Sequence, residues 1–267
     1  MIIMMENASY GDIIGNSSLP YFNSLAQNYV NMTQSYATAH PSLPNYLEVT
    51  SASTWGVTDD GTPQSDPGGS PNLMAELDAA GLTWAGYMES MPSCGYTGGD
   101  TGGSDNAGNQ LYSQHHNPFV YYSSIASEMG RVCPLGNMIG ALNSANPPDF
   151  VFVSPNMVDD WHDGSLSQGD NWLNSEVSAI QGTSWYKSNG TIIITTDEGN
   201  SSDNTGIAND NGGHVPTVLV SQALQGHGQY TSPVDQAGIV ASLEQVWGLG
   251  AINDAGSPSH GNFANLL

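Results

Sequence analysis

The chain has 267 residues, 25 of them acidic and two basic (Arg131 and Lys187), for a formal net charge of −23 at pH 7. So few cations exclude nucleic acid and anionic membranes as partners, because both are bound by neutralising phosphates with Lys and Arg. No apolar run approaches the roughly 20 residues of a membrane helix, and the length suits one sizeable domain, residues 1–267, with a substantial core.

In chain order, Ile2–Met5 reads as a buried strand that runs straight into Glu6-Asn7. These first residues read as core and not as a secretion leader, as expected of a mature or trimmed chain. Residues 21–30 read as a helix with Phe22, Leu25, Ala26 and Tyr29 on one face, and 44–50 as another. Ser70-Pro71 is expected to open a third helix that Gly81 closes, followed by a strand over 82–88. Residues 150–153 are a short buried strand and 166–180 a helix. The β-branched run 191–196 is a strand that stops at Asp197-Glu198-Gly199, and 215–220 is another. Ser232-Pro233 is expected to cap a last helix running to Trp247 and ending at Gly248. Strands separated by helices predict an α/β fold whose central sheet is predominantly parallel and flanked by helices on both faces. Gly/Asp/Ser-rich loops near 56–70 and 95–110 interrupt the pattern, and loops of that length tend to be functional or mobile.

Charged residues make up only 10% of the chain, so the surface is mostly Asn, Ser, Thr, Gly and Gln and unlike that of a halophile. Free carboxylates titrate near pH ~4. At pH ~2–3 most of the 25 would be neutral and their mutual repulsion would vanish. This pattern is expected of an extracellular protein in acidic surroundings; an ordinary secreted protein poor in lysine is the alternative. The two cysteines, Cys94 and Cys133, suggest one disulfide in a secreted chain, with two buried thiols as the alternative. Glycosylation sequons stand at Asn7, Asn16, Asn31, Asn189 and Asn200.

The chemistry concentrates where strands end. Ligands of open α/β sheets bind outside the carboxyl ends of the strands. Glu6 and Asn7 follow one strand, and Asp197 and Glu198 another, so the four form one oxygen-rich claw for a hard divalent cation: Ca²⁺, Mg²⁺ or Mn²⁺, with Zn²⁺ as a further option. Ser42 sits between Pro41 and Pro44 at the start of a helix, whose dipole favours a developing alkoxide. The plainer reading of Ser42 alone is a helix cap.

The segments Glu6-Asn7-Ala8-Ser9-Tyr10, His40-Pro41-Ser42-Leu43-Pro44-Asn45-Tyr46, His116-Asn117-Pro118-Phe119, Asp160-Trp161-His162-Asp163, Thr196-Asp197-Glu198-Gly199 and Gly213-His214-Val215-Pro216 follow one another in this order. In this the chain resembles the phosphoesterase family of acid phosphatases and bacterial phospholipases C, a branch of the alkaline-phosphatase-like superfamily. The resemblance covers nearly the whole chain and implies an alkaline-phosphatase-like core. It implies that Glu6, Asn7, Asp197 and Glu198 hold metal and that Ser42 is the nucleophile, forming a phosphoserine that water later cleaves. His116, Asn117, His162 and His214 would stabilise the transferred phosphoryl group, with His40, Asn45, His115 and Asp160 lining the substrate. A second metal on Asp160, His162 and His214 stays open. His115 stands where the family often has a basic residue, and is expected to be cationic in acid. A phosphatase acting on small phosphate monoesters is the expectation, without stable membrane association. A phosphodiesterase of the phospholipase C type, a sulfatase-like enzyme and a non-catalytic binding protein on the same scaffold are the alternatives.

Overall fold

Strand β1 (Ile2–Met5) runs through the middle of the molecule with all four residues buried. The computed structural model describes residues 1–61, 71–104, 108 and 110–267. Around β1 assemble β2 (Val30–Met32), β3 (Trp84–Met88), β4 (Val132–Pro134), β5 (Phe150–Ser154), β6 (Ile192–Thr196), β7 (Thr217–Val220) and β8 (Gly228–Tyr230). Their order across the sheet is β8-β2-β7-β6-β1-β5-β3-β4. Only β7 runs against its neighbours; every other pairing is parallel.

Each central strand alternates between two cores, as the period of two requires. Ile2, Met4, Phe150, Phe152, Ile193 and Leu219 face one core; Ile3, Met5, Val151, Val153, Ile194 and Val218 face the other. The first is covered by α2 (Ser42–Ser51), α3 (Leu73–Ala79) and α5 (Gln236–Trp247), the second by α1 (Pro20–Asn28) and α4 (Leu166–Gln181). The result is the α/β architecture with helices on both faces that the sequence predicts. Burying each of these large apolar side chains is worth about 1.5–3 kcal/mol.

Helix starts differ from expectation. Helix α3 is capped by Asn72, whose side chain accepts from Ala75 N, and Ser70 lies outside the described residues. Helix α5 starts at Gln236, three residues after Pro233, because Asp235 accepts from Gly238 N. Its expected stop holds: Gly248 has a left-handed φ of 67°, which glycine adopts without a Cβ penalty. The loops near 56–70 and 95–110 lie partly outside the described residues; within the second, Thr101–Ser104 pairs antiparallel with Gln110–Tyr112.

Cys94 and Cys133 form a disulfide, tying the segment after β3 to β4. Arg131 pairs with Asp78 and Glu128 and lies 5.1 Å from the Trp84 ring centre, while Lys187 donates to the Gly182 carbonyl. Both basic side chains are thus engaged before the amino ends of strands β4 and β6 and not at the carboxyl ends. Of the sequons, Asn31 is buried with its amide donating to Tyr10 Oη at 2.9 Å, whereas Asn189 is exposed.

With few bases in the chain, acids beneath the surface face one another, His260 reaching only Asp235 among them at 2.7 Å. Burial, and then the charges of Asp210, Asp254 and Asp235, push Glu48 up to about 9. Burial likewise raises Glu89, Asp210, Asp235 and Glu244 to about 7. A carboxyl whose folded pKa exceeds its unfolded value stabilises below the unfolded value and loses that contribution as pH rises through the folded one. Two histidines act in the opposite direction: burial lowers His115 to about 4 and His116 to about 3, so their contribution holds above the ordinary 6.5 and is lost in acid. The chelator-treated protein is therefore expected to melt highest at about pH 4–6 and lower at each step toward pH 9. Thermal unfolding across that range checks this; a melting temperature that climbs steadily to pH 8 would refute it.

Candidate active site

The register of β1 against β6 builds the site. Met5 pairs with Thr196, so the next residues, Glu6 and Asp197, leave the sheet side by side. Asp197 N donates to Met5 O at 2.9 Å and Glu6 N to Asp160 O at 2.8 Å. Three acids from three separate segments thus meet at the carboxyl edge of the sheet, and all are fully buried. Glu198 is 6% exposed beside them.

Helix α2 brings Ser42 over this edge. Asn45 fixes the preceding turn: its Oδ1 accepts from Thr38 N and Ala39 N, and its Nδ2 donates to the carbonyls of Ala39 and Pro41. Asn45 therefore spends its amide inside the chain and shapes the approach to Ser42. Ser42, 3% exposed, donates from Oγ to Glu6 Oε2 at 3.0 Å. The Asp197 and Glu198 carboxyls lie close enough for the Ser42 hydroxyl to favour their charged forms. His40 is held between the Glu198 carboxylate and the Asp203 carbonyl.

His116 enters from the other side. Its Nε2 lies 3.2 Å from Glu6 Oε1 and its Nδ1 3.5 Å from Asp160 Oδ2. Glu6, His116 and Asp160 can each turn one ligand atom into a common space, all within 4.8 Å of one another. Asp160 Oδ1 accepts from His162 N at 2.8 Å, while the exposed His162 ring faces Asp163. The His115 ring lies edge-on to His116 with centres 4.4 Å apart. Burial, and then His116, lower His115 to about 4, so the charge expected of it in acid appears only below that value.

Two residues of the expected set make their contacts elsewhere. Asn117 is buried against Tyr112 Oη and Met91 Sδ. His214 stacks on Tyr10 at 4.5 Å and bonds through Nε2 to Thr33 O, while the ligand atoms that converge on Asp160 come from Glu6 and His116. Asn7 contributes its backbone N–H to Asp197 Oδ1 at 3.1 Å, at a φ of 46°. Two further residues belong here. Tyr46 donates to Glu6 Oε1 at 2.7 Å, and Asp60 accepts from Leu43 N at 2.9 Å, its charge facing Glu198 and His115. Tyr46 stands four residues after Ser42 on one helix, a signal the sequence offered; nothing tied Asp60 to this helix.

The cluster is built for positive charge. Burial raises Glu6 and Asp160 far above the ordinary carboxyl range, with Asp197 and Asp160 adding to the effect on Glu6. Asp197 rises to about 8 through burial and the charge of Glu198; Glu198 rises to about 8 through burial and the charge of Asp60. His116 Nε2, Asp160 Oδ2 and Asp197 Oδ2 are buried with no hydrogen-bond partner. Buried polar atoms are satisfied as a rule, and oxygen-rich donors of this kind with one imidazole suit a hard or borderline divalent cation. Glu6, Asp160, Asp197, Glu198 and His116 therefore fit such an ion.

A protein of Mycobacterium tuberculosis called phosphatidylinositol-3-phosphatase is 34% identical over 252 residues, 93% of this chain and 76% of its own length. An acid phosphatase of Aspergillus fumigatus is 27% identical over 92% of this chain, which spans 54% of that protein. Among solved structures, a Vibrio parahaemolyticus protein in the alkaline phosphatase superfamily superposes with a TM-score of 0.64 at 13% identity, covering 99% of this chain and 68% of that one. Human ectonucleotide pyrophosphatase/phosphodiesterase 5 gives 0.60 at 10% identity, covering 94% and 95%. Residues 15–250 match the Phosphoesterase family. With that match, the fold and the acid-lined strand ends, the chain belongs to the phosphoesterase family and is a hydrolase of phosphoric esters.

Proposed function

We propose that the chain is a single-domain, metal-dependent acid phosphatase that transfers the phosphoryl group of a small monoester to Ser42 and then to water. One observation carries this reading: Ser42 Oγ, at the first turn of α2, lies 3.0 Å from Glu6, whose neighbours at the strand ends are the buried Asp197 and Glu198. A divalent cation held by Glu6, Asp197 and Glu198, with Asp160 and His116 beside them, would lower the pKa of the hydroxyl and offset phosphoryl charge. Ser42 Oγ loses its proton and bonds to phosphorus as the ester P–O bond breaks, and the leaving oxygen takes up a proton. Water then reverses the sequence and frees phosphate. In this reading His116 and His162, their ring centres 6.3 Å apart, are the imidazoles that offset phosphoryl charge and protonate the leaving oxygen. Asn45 and Asn7 serve by position, through the Ser42 turn and the Asp197 carboxylate. His40 braces Glu198, and His115 and Asp60 line the approach. Asn117 and His214 support the surrounding walls.

Secretion into acidic surroundings is part of this reading, supported by the charge balance and by the acid phosphatases among the relatives. Among the described residues no helix is long and apolar enough to cross a membrane. The name of the mycobacterial relative makes a soluble, short-chain phosphatidylinositol 3-phosphate a monoester worth testing. Turnover of p-nitrophenyl phosphate is expected to exceed that of bis(p-nitrophenyl) phosphate at least about tenfold below pH 7, a preference of roughly 1.4 kcal/mol. Faster cleavage of the diester would overturn the monoester assignment in favour of a phospholipase C-type activity.

A further inference from the structure

We propose that Tyr46 is a positioning residue of this site: its hydroxyl fixes the Glu6 carboxylate in the orientation that Ser42 and a divalent cation use, which rests on the phosphatase reading above. The geometry is a clamp from one helix. Ser42 and Tyr46 are four residues apart, so α2 presents both on one face. Ser42 Oγ donates to Glu6 Oε2 at 3.0 Å and Tyr46 Oη to Glu6 Oε1 at 2.7 Å. Each oxygen of one buried carboxylate thus receives one hydroxyl from the same helix. The Tyr46 ring, fully buried, lies flat on His116 with centres 5.0 Å apart and planes 6° apart, and edge-on to Phe152. His116 Nε2 is 3.2 Å from the same Glu6 Oε1. Tyr46 therefore touches two members of the metal-binding group at once, Glu6 by its hydroxyl and His116 by its face.

The two donors are not equivalent during turnover. When Ser42 Oγ bonds to phosphorus it has no proton left to donate, and Glu6 Oε2 loses that hydrogen bond. Tyr46 is then the α2 hydroxyl still holding Glu6, so it preserves the carboxylate orientation through the half of the cycle in which Ser42 cannot. A core aromatic would be served equally well by phenylalanine; a positioning hydroxyl would not.

The full chain carrying Tyr46→Phe, Tyr46→Leu or Ser42→Ala is compared with the unmodified protein. Three measurements are made: calorimetric titration with Mn²⁺ alone, kcat and KM on p-nitrophenyl phosphate, and thermal unfolding in chelator. Tyr46→Phe is expected to lose about 10–100-fold in Mn²⁺ affinity and in kcat, the usual cost of removing a partner that orients a metal ligand. Its KM should stay within about threefold, as for a loss felt mainly in the transition state, and its metal-free melting temperature should fall by only a few degrees, the cost of one buried hydrogen bond. Tyr46→Leu should show the same losses and melt lower still, because the stack on His116 is gone. Tyr46→Phe binding Mn²⁺ and turning over like the unmodified protein would overturn the proposal. A Ser42→Ala protein that keeps its turnover would sink the phosphoserine reading alone; weakened Mn²⁺ binding in Tyr46→Phe would still support the clamp.

Discussion

Ser42→Ala is expected to lower kcat on p-nitrophenyl phosphate by at least about a thousandfold while the protein stays folded, the scale on which removing a covalent nucleophile acts. The substitution deletes one buried oxygen and its hydrogen bond to Glu6, and alanine is a better helix former than serine. Melting temperature should therefore move little, and what is lost is chemistry. Steady-state turnover at mildly acidic pH, beside a thermal melt, separates the two effects. Residual activity within tenfold of the unmodified enzyme would mean that another group attacks phosphorus.

The second large effect is expected at Asp197. Its Oδ1 is fixed by two backbone donors, Asn7 N and Glu198 N, which leaves Oδ2 buried and without a partner. Asp197→Asn removes a charge facing the proposed cation, whose contribution to the transition state is several kcal/mol, so activity should fall at least about a hundredfold. Stability without metal should move the other way. Burial, and next the charge of Glu198, raise Asp197 to about 8, so ionising it in the metal-free protein costs stability as pH passes that value. The asparagine variant should therefore melt higher than the unmodified protein in chelator at pH 9. Mn²⁺ should raise the melting temperature of the unmodified protein and leave that of the variant nearly unchanged. Equal responses of the two proteins to Mn²⁺ would remove Asp197 from the metal site.

What the sequence disclosed followed from pattern and from register. Ile2–Met5 and Ile192–Thr196 are apolar runs with carboxylates at their ends, and parallel pairing necessarily places those ends together. Val30–Met32 and Val132–Pro134 are only three residues long, too short for periodicity to reveal. That β7 runs antiparallel cannot be read from a buried apolar run, since direction leaves no mark on composition. Ser232-Pro233 carried a helix-start signal, but Asp235 has the carboxylate that reaches Gly238 N. Among the histidines, sequence order alone could not tell His116, wedged between Glu6 and Asp160, from His214, stacked on Tyr10. That distinction depends on which loop folds over the strand ends.

The scarcity of basic residues has a consequence for resistance to proteolysis. A protease that cuts after lysine or arginine finds two target bonds in the whole chain, following Arg131 and Lys187. The first is shielded in two ways. Arg131 is gripped by Asp78 and Glu128 and laid over Trp84, so its side chain is not free to enter a protease pocket. The bond after Arg131 also falls between the two half-cystines, Cys94 and Cys133, so a cut there leaves both fragments covalently joined. A digest by such a protease would shorten this chain only at Lys187 until a reductant is added.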